Sequence, residues 1–215
     1  MTGGQWIDSP DGRRWWFDAG ATALDFVYTT RFRTDFGSFR ASASVQEWML
    51  ARFESINSQF GERELSDANA LREAIASLAR AIVGDGPIDA HDVDTVNLYA
   101  ATPDIPPVLS GSTRQAGRSS LRPAQALSSI AREAISLFGP LGRDRVRVCE
   151  ADDCQLIFYD DSRAGSRRWC SMQRCGNRAK VRAFRARVGT PAPPDQFASD
   201  QENQGHYPPP RSTPK

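Results

Sequence analysis

Four cysteines, and none in the first 148 residues, carry the chemistry that can be read from this chain. They fall as two pairs, Cys149/Cys154 and Cys170/Cys175, each pair spanning four intervening residues, with fifteen residues between the pairs. Thiolates are soft ligands, and four of them in so short a span suit one tetrahedral S₄ metal site, with zinc the first choice. Four unliganded buried cysteines or a redox pair would be the bland alternatives. The C-x₄-C spacing is less diagnostic than C-x₂-C and is unlike a thioredoxin pair. A closed S₄ site leaves no coordination position for water, and the sequence carries no phosphate loop, no dinucleotide glycine motif, no H-E-x-x-H and no nucleophile elbow. The chain therefore reads as something other than an enzyme.

Charge is the second signal. Residues 1–142 carry 13 basic and 17 acidic side chains, a net of −4, whereas 143–187 carry 12 basic and 6 acidic, a net of +6. The run 163–187 holds nine Arg or Lys and no Asp or Glu. Arg174, Arg178, Arg182 and Arg185 follow i, i+4, i+8 and i+11, which puts them on one helical face, with Lys180 and Arg187 widening it. Such a face suits phosphate, which gives affinity without sequence choice. Asn177 is the candidate for a base contact. Basic residues near a helix C-terminus can also simply stay solvated, and Arg167 and Arg168 have Asp160 and Asp161 within reach across a hairpin. Val181, Phe184 and Val188 occupy another face, suited to packing on the hairpin or the helical domain.

The elements that must position these residues follow from local pattern. Val146 and Val148 alternate with arginines into Cys149, a half-buried strand. CEADDC supplies the first ligand pair from a tight loop. Leu156 and Phe158 suggest a strand, DDSRAGS a turn, and RRW a second strand returning to Cys170. From Ser171 the pattern turns helical to about Val188, with Cys175 in the first turn. Upstream, helices are expected around Val45–Ile56, from Asp67 to Val83 with Ser66 as N-cap, from about Asp89 to Pro103, and from Pro123 to Phe138. ATALDFVYTT reads as a buried helical turn, residues 13–18 as a short strand, RTDFGSFRASAS as a polar connection, and the two segments near Pro106 and Gly117 as an exposed hairpin. Trp15, Trp16 and Trp48 are assigned to the core. Asp25 is expected to cap or bond locally, and His91 to lie on a helix surface.

The fold class is thus mainly α: a helical N-terminal domain (1–142), a small C-terminal treble-clef-like zinc finger of short β-hairpin plus helix (143–188), and a disordered proline-rich tail (189–215) with seven prolines. A module this small has too little core to fold without its metal. On that basis Cys170→Ser should unfold the finger and spare the helical domain. The N-terminus has no apolar h-region and no run approaches a membrane span, so a cytoplasmic, reducing location without membrane contact is expected.

The stretch RRWCSMQRCGNRAKVRAFRAR, with C-x₄-C upstream, resembles the bacterial CGNR zinc-finger family, whose naming motif is Cys175-Gly176-Asn177-Arg178. ALDFVYTT at 23–30 is similar to the ALDFVNT signature of the ABATE domain that precedes such fingers, with Tyr28 in place of an asparagine. The resemblance implies zinc on Cys149, Cys154, Cys170 and Cys175, and a stress-response transcription regulator that binds DNA; the charge pattern assigns that contact to Arg174, Asn177, Arg178, Lys180, Arg182 and Arg185. The N-terminal domain would then sense a small-molecule effector or form a homodimer. An RNA-binding or protein-interaction module with purely structural zinc is the alternative.

Overall fold

A computed structural model of the chain describes residues 3–8, 12–34, 37–53, 56, 60–107 and 121–188. The proline-rich tail and most of the expected hairpin beyond Pro107 lie outside these residues. The first strands form one antiparallel sheet, in which the short strand expected at residues 13–18 is paired on a strand that precedes it. Its strands are β1 (Gln5–Asp8), β2 (Arg14–Phe17), β3 (Arg31–Thr34) and β4 (Gly37–Ala41), in the order β2-β1-β4-β3. Two of them, β3 and β4, occupy the segment expected to be a polar connection. Their residues alternate, so Phe32 faces Phe39 across the pair while Arg31 faces Arg40 on the other side. Phe32 and Phe39 stack at 5.3 Å, and Tyr28 meets Phe32 edge-on at 4.7 Å. That aromatic layer faces the rest of the molecule.

Between the two hairpins lies α1 (Thr22–Val27), short and almost wholly buried. Then come α2 (Val45–Arg52), α3 (Glu62–Val83), α4 (Ala90–Ala100) and α5 (Pro123–Phe138). Ser44 caps α2 through a reciprocal capping box with Glu47. The longest helix, α3, starts earlier than Ser66 suggests, because Glu64 reaches back to the Gly61 N–H at 2.9 Å. Its expected stripe of Leu71, Ile75, Leu78, Ala79 and Ile82 is buried throughout, as are Leu127, Ile130, Ala134 and Leu137 of α5. In α4 only Val96 is buried; Leu98 is 69 % exposed, so a residue expected in the apolar stripe faces solvent. His91 lies exposed on α4, as expected.

The C-terminal part consists of β5 (Val146–Val148), β6 (Ile157–Tyr159), a π-turn (Met172–Gly176) and α6 (Asn177–Val188). The hairpin pairs β5 with β6 around the first cysteine loop. The RRW segment expected as the returning strand forms no ladder among the described residues. Both β5 and β6 pack on α3, and β6 also meets α1, so the cysteines and the helical domain share one apolar core. No described helix is long and apolar enough to cross a membrane.

Candidate metal centre and basic helix

The four thiols come from three local structures. Cys149 follows β5 directly, and its N–H bonds the Leu156 carbonyl, so the CEADDC loop closes on itself. Cys154 ends that loop. Cys170 follows the turn whose Arg167 N–H donates to Asp160 Oδ2 at 2.8 Å. Asp160, completely buried, also takes the Ser162 N–H. Cys175 sits in the π-turn, where Cys175 and Gly176 N–H groups both reach the Ser171 carbonyl. Gly176 is buried there against Met172 and Trp169, leaving a side chain no free volume without displacing Met172.

All four sulfurs lie within 4.8 Å of one another and all four cysteines are buried. Cys154 and Cys170 Sγ are 3.5 Å apart, and Cys170 and Cys175 Sγ 3.7 Å. A tetrahedral centre with metal–sulfur bonds of about 2.3 Å requires sulfurs about 3.8 Å apart. The donor set therefore fits one tetrahedral metal ion. Without a cation the group cannot ionise fully, because each thiolate opposes the next in a desolvated space. Hydrogen bonds among the thiols, led by Cys154 for Cys149 and by Cys149 for Cys175, hold those two below the ordinary thiol range. The same bonds, led in both cases by Cys149, push Cys154 and Cys170 up. A divalent cation would displace the remaining protons. Around the sulfurs, the Cys170 N–H approaches Cys149 Sγ at 3.4 Å and Arg178 Nη2 approaches Cys175 Sγ at 3.4 Å.

The basic helix is oriented differently from what its charge pattern suggests. Arg178 bonds Asp153 at 2.8 Å, and Arg182 pairs with Asp152 at 3.0 Å and Asp153 at 3.2 Å. Those aspartates belong to the CEADDC loop, so the first cysteine loop carries the counter-charges that seat α6. Arg174 lies 3.9 Å over the Trp15 ring and 5.5 Å from Phe39, committed to the N-terminal sheet. Arg185 is half-buried, while Asn177, Lys180 and Arg187 are exposed. No residue of α6 is buried, and Val181, Phe184 and Val188 face solvent at 47, 59 and 58 % exposure. The apolar side of α6, expected to pack on the hairpin or helical domain, covers neither. Arg168 pairs with Glu150 rather than with Asp160 or Asp161, whereas Arg167 does reach Asp161 at 3.7 Å.

Sequence reasoning missed the residues that join the finger to the N-terminal domain. Tyr28 Oη accepts the Ile157 N–H at 2.8 Å and donates to the Ile157 carbonyl at 3.1 Å. One phenol thereby completes the outer edge of β6, as a neighbouring strand would. Burial pushes its pKa far above the usual phenol range. Beside it the Tyr159 N–H donates to the Ala19 carbonyl at 2.7 Å, and Arg167 reaches the Asp18 carbonyl. Gly20, at φ +80°, makes this approach feasible: a Cβ there would sit 2.3 Å from the Tyr159 carbonyl oxygen. Asp25 is no local cap. Fully buried, it accepts the Gly4 N–H at 2.9 Å and the Ala19 N–H at 2.8 Å, with Arg52 3.6 Å away, and so fixes the loop that meets β6. Its burial outweighs the two backbone hydrogen bonds and raises its pKa to about 7. The string DAGATALDFVY marks the segment as unusual, with a glycine and an acid in an apolar stretch, but it names none of these partners.

A closed four-thiol centre wedged between a small hairpin and a basic helix, and fused to a helical domain, defines a structural-metal finger protein. The family models agree in chain order. Residues 145–188 match the CGNR zinc finger. Residues 20–139 match ABATE, described as "Putative stress-induced transcription regulator", and the chain belongs to that family. Strands β1 and β2 precede the matched span. No curated protein matches the chain.

Proposed function

We propose that the chain is a zinc-dependent DNA-binding regulator in which the metal centre holds α6 outward as the nucleic-acid contact and the N-terminal domain senses a signal. The carrying observation is the combination of an α6 with no buried residue and a 163–187 segment with no acid. Zinc is the ion expected for a closed thiolate set, and with every position filled by sulfur its role is structural. Lys180 and Arg187 are exposed two turns apart on one side of α6, free to meet phosphates. Arg178 and Arg182 join them only by exchanging carboxylate for phosphate. Their pairs with Asp153 and Asp152 are partly solvated, and such pairs are worth about 1 kcal/mol or less each. Arg174, stacked on Trp15, contributes to assembly of the finger instead. Asn177 is the exposed polar side chain at the leading end of α6 and the candidate for a base edge.

The test is fluorescence anisotropy of a labelled duplex at several salt concentrations. Lys180→Glu with Arg187→Glu should weaken binding about tenfold or more and reduce the salt slope by about two phosphate equivalents. Chelation should abolish it. Absence of binding at low salt, or an unchanged slope in the double variant, overturns the reading. One observation favours a second reading, a protein-docking finger: the exposed Val181, Phe184 and Val188 share a face at i, i+3 and i+7. Phe184→Ser separates the two, since it adds no charge beside Lys180 and Arg187 and so should spare phosphate contacts while disrupting an apolar interface.

A further inference from the structure

A cleft of about 460 Å³ opens between the end of α1, β3, α3 and the loop that leads from Cys154 into β6. That is the size of a site for a small organic ligand. Val27, Phe32 and Ile157 give it an apolar floor backed by the buried Leu24 and Leu156, while Arg31, Arg72 and Arg80 stand around it. Among the described residues that line it, Glu73 is the one carboxylate. The arginines are not equivalent. Arg31 and Arg80 are exposed at the rim, but the Arg72 side chain is only 11 % exposed. Arg72 donates to Asn69 and lies 3.7 Å from Glu73, whose own side chain is 77 % exposed. A guanidinium withdrawn from water beside one solvated counter-charge is under-compensated. Burial accordingly disfavours its charged form, with Glu73 opposing.

These groups specify a ligand class. A fork of N–H donors recognises a carboxylate, and the apolar floor beneath it rewards a hydrocarbon body, which a hydrated inorganic ion lacks. We propose that this cleft binds a small amphipathic organic anion, its carboxylate on Arg72 with Arg80 at the rim adding to the attraction, and its apolar body on Val27 and Phe32. The floor also contains Tyr28 and Ile157, the two ends of the clamp that joins the finger to the N-terminal domain, and Gln155, next to the ligand Cys154. An occupant there touches the joint itself, so its binding is coupled to the set of the finger. This coupling rests on the sensing role proposed above; the site does not.

The experiment is isothermal titration of the full metal-loaded chain, without DNA, using cinnamate and octanoate as probes and cinnamamide as the uncharged control. One probe carboxylate should bind per chain, and cinnamamide should bind about tenfold more weakly or worse, the scale of one charge-assisted hydrogen bond. Arg80→Glu, at an exposed rim position, should weaken cinnamate by a similar factor, and Ala76→Trp, which fills the cleft from α3, should abolish binding. No saturable binding by either carboxylate, equal binding of cinnamate and cinnamamide, or an unchanged affinity in Arg80→Glu overturns the site. Cinnamate that binds as expected but leaves DNA affinity unchanged overturns the coupling alone. A chain that fails to bind DNA still answers the question of the site.

Discussion

Removing one oxygen atom tests the joint between finger and N-terminal domain. In Tyr28→Phe the ring remains in its aromatic layer, between Phe17 at 5.1 Å and Phe32 at 4.7 Å, so packing is nearly unchanged. What is lost is the pair of hydrogen bonds to Ile157, whose N–H and carbonyl then face a buried ring edge. Leaving a buried backbone group unsatisfied costs about 1–3 kcal/mol, and two groups on one residue relax together, so the expected loss is about 2–4 kcal/mol. Water reaching β6 through the adjacent cleft would bring the loss toward the lower figure. The assay is urea denaturation followed by tryptophan fluorescence, with hydrogen exchange at the Ile157 amide as the local readout. Exchange there should accelerate before global stability is exhausted, because the β6 edge has lost its partner. A stability change under about 0.5 kcal/mol together with unchanged exchange would refute the claim that the phenol carries this interface.

Metal removal is expected to be felt beyond the finger. Elemental analysis should give about one zinc per chain, and because β5 and β6 pack on α3, chelation or Cys170→Ser should lower a single cooperative melt rather than release the finger alone; two separate transitions would count against the shared core. Gly20→Ala should destabilise strongly, by about 2 kcal/mol or more, since its Cβ would meet the Tyr159 carbonyl and its φ is positive; a thermal melt within a degree of wild type would contradict this. Asp25 has a folded-state pKa of about 7 against an unfolded value near 3.8. The folded state therefore binds the extra proton, and this group's contribution to stability falls as pH rises from about 4 to about 7. Asp25→Asn should remove that fall while losing baseline stability, read from denaturant midpoints between about pH 5.5 and pH 8, where the thiols stay metal-bound.

What could be read from sequence was whatever rests on local spacing. Cysteine positions report one metal site because ligands must converge whatever surrounds them, and the 3.6-residue stripes of α3 and α5 report a core because each helix is long enough to average over exceptions. The strands β3 and β4 escaped because RFRT and GSFRA offer too few residues for alternation to stand out, and their arginines masked the two inward phenylalanines. Leu98 shows the opposite failure, an apolar residue at helical spacing with nothing opposite it among the described residues. Long-range polar contacts were invisible in principle. Nothing in the string relates Tyr28 to Ile157, 129 residues away, or Asp25 to Gly4, since neither pairing leaves a periodicity.

The arginines of α6 carry the more general lesson. Their regular spacing looked like a surface prepared for an external anion, yet most of that row meets partners from the same chain. A metal centre with four thiolates around a divalent ion carries −2, and the loop that builds half of it adds Asp152 and Asp153. That local negative charge must be balanced wherever the finger folds. Arg178 does so directly, lying between Cys175 Sγ and Asp153, and Arg182 follows one turn on. Part of the basic excess in 163–187 is thus a requirement of the centre itself. Only the cations left over, Lys180 and Arg187 above all, bear on binding. Charge-reversal at Arg178 is consequently a poor probe of DNA contact: it should loosen metal and nucleic acid together, whereas reversal at Lys180 and Arg187 should alter only the latter.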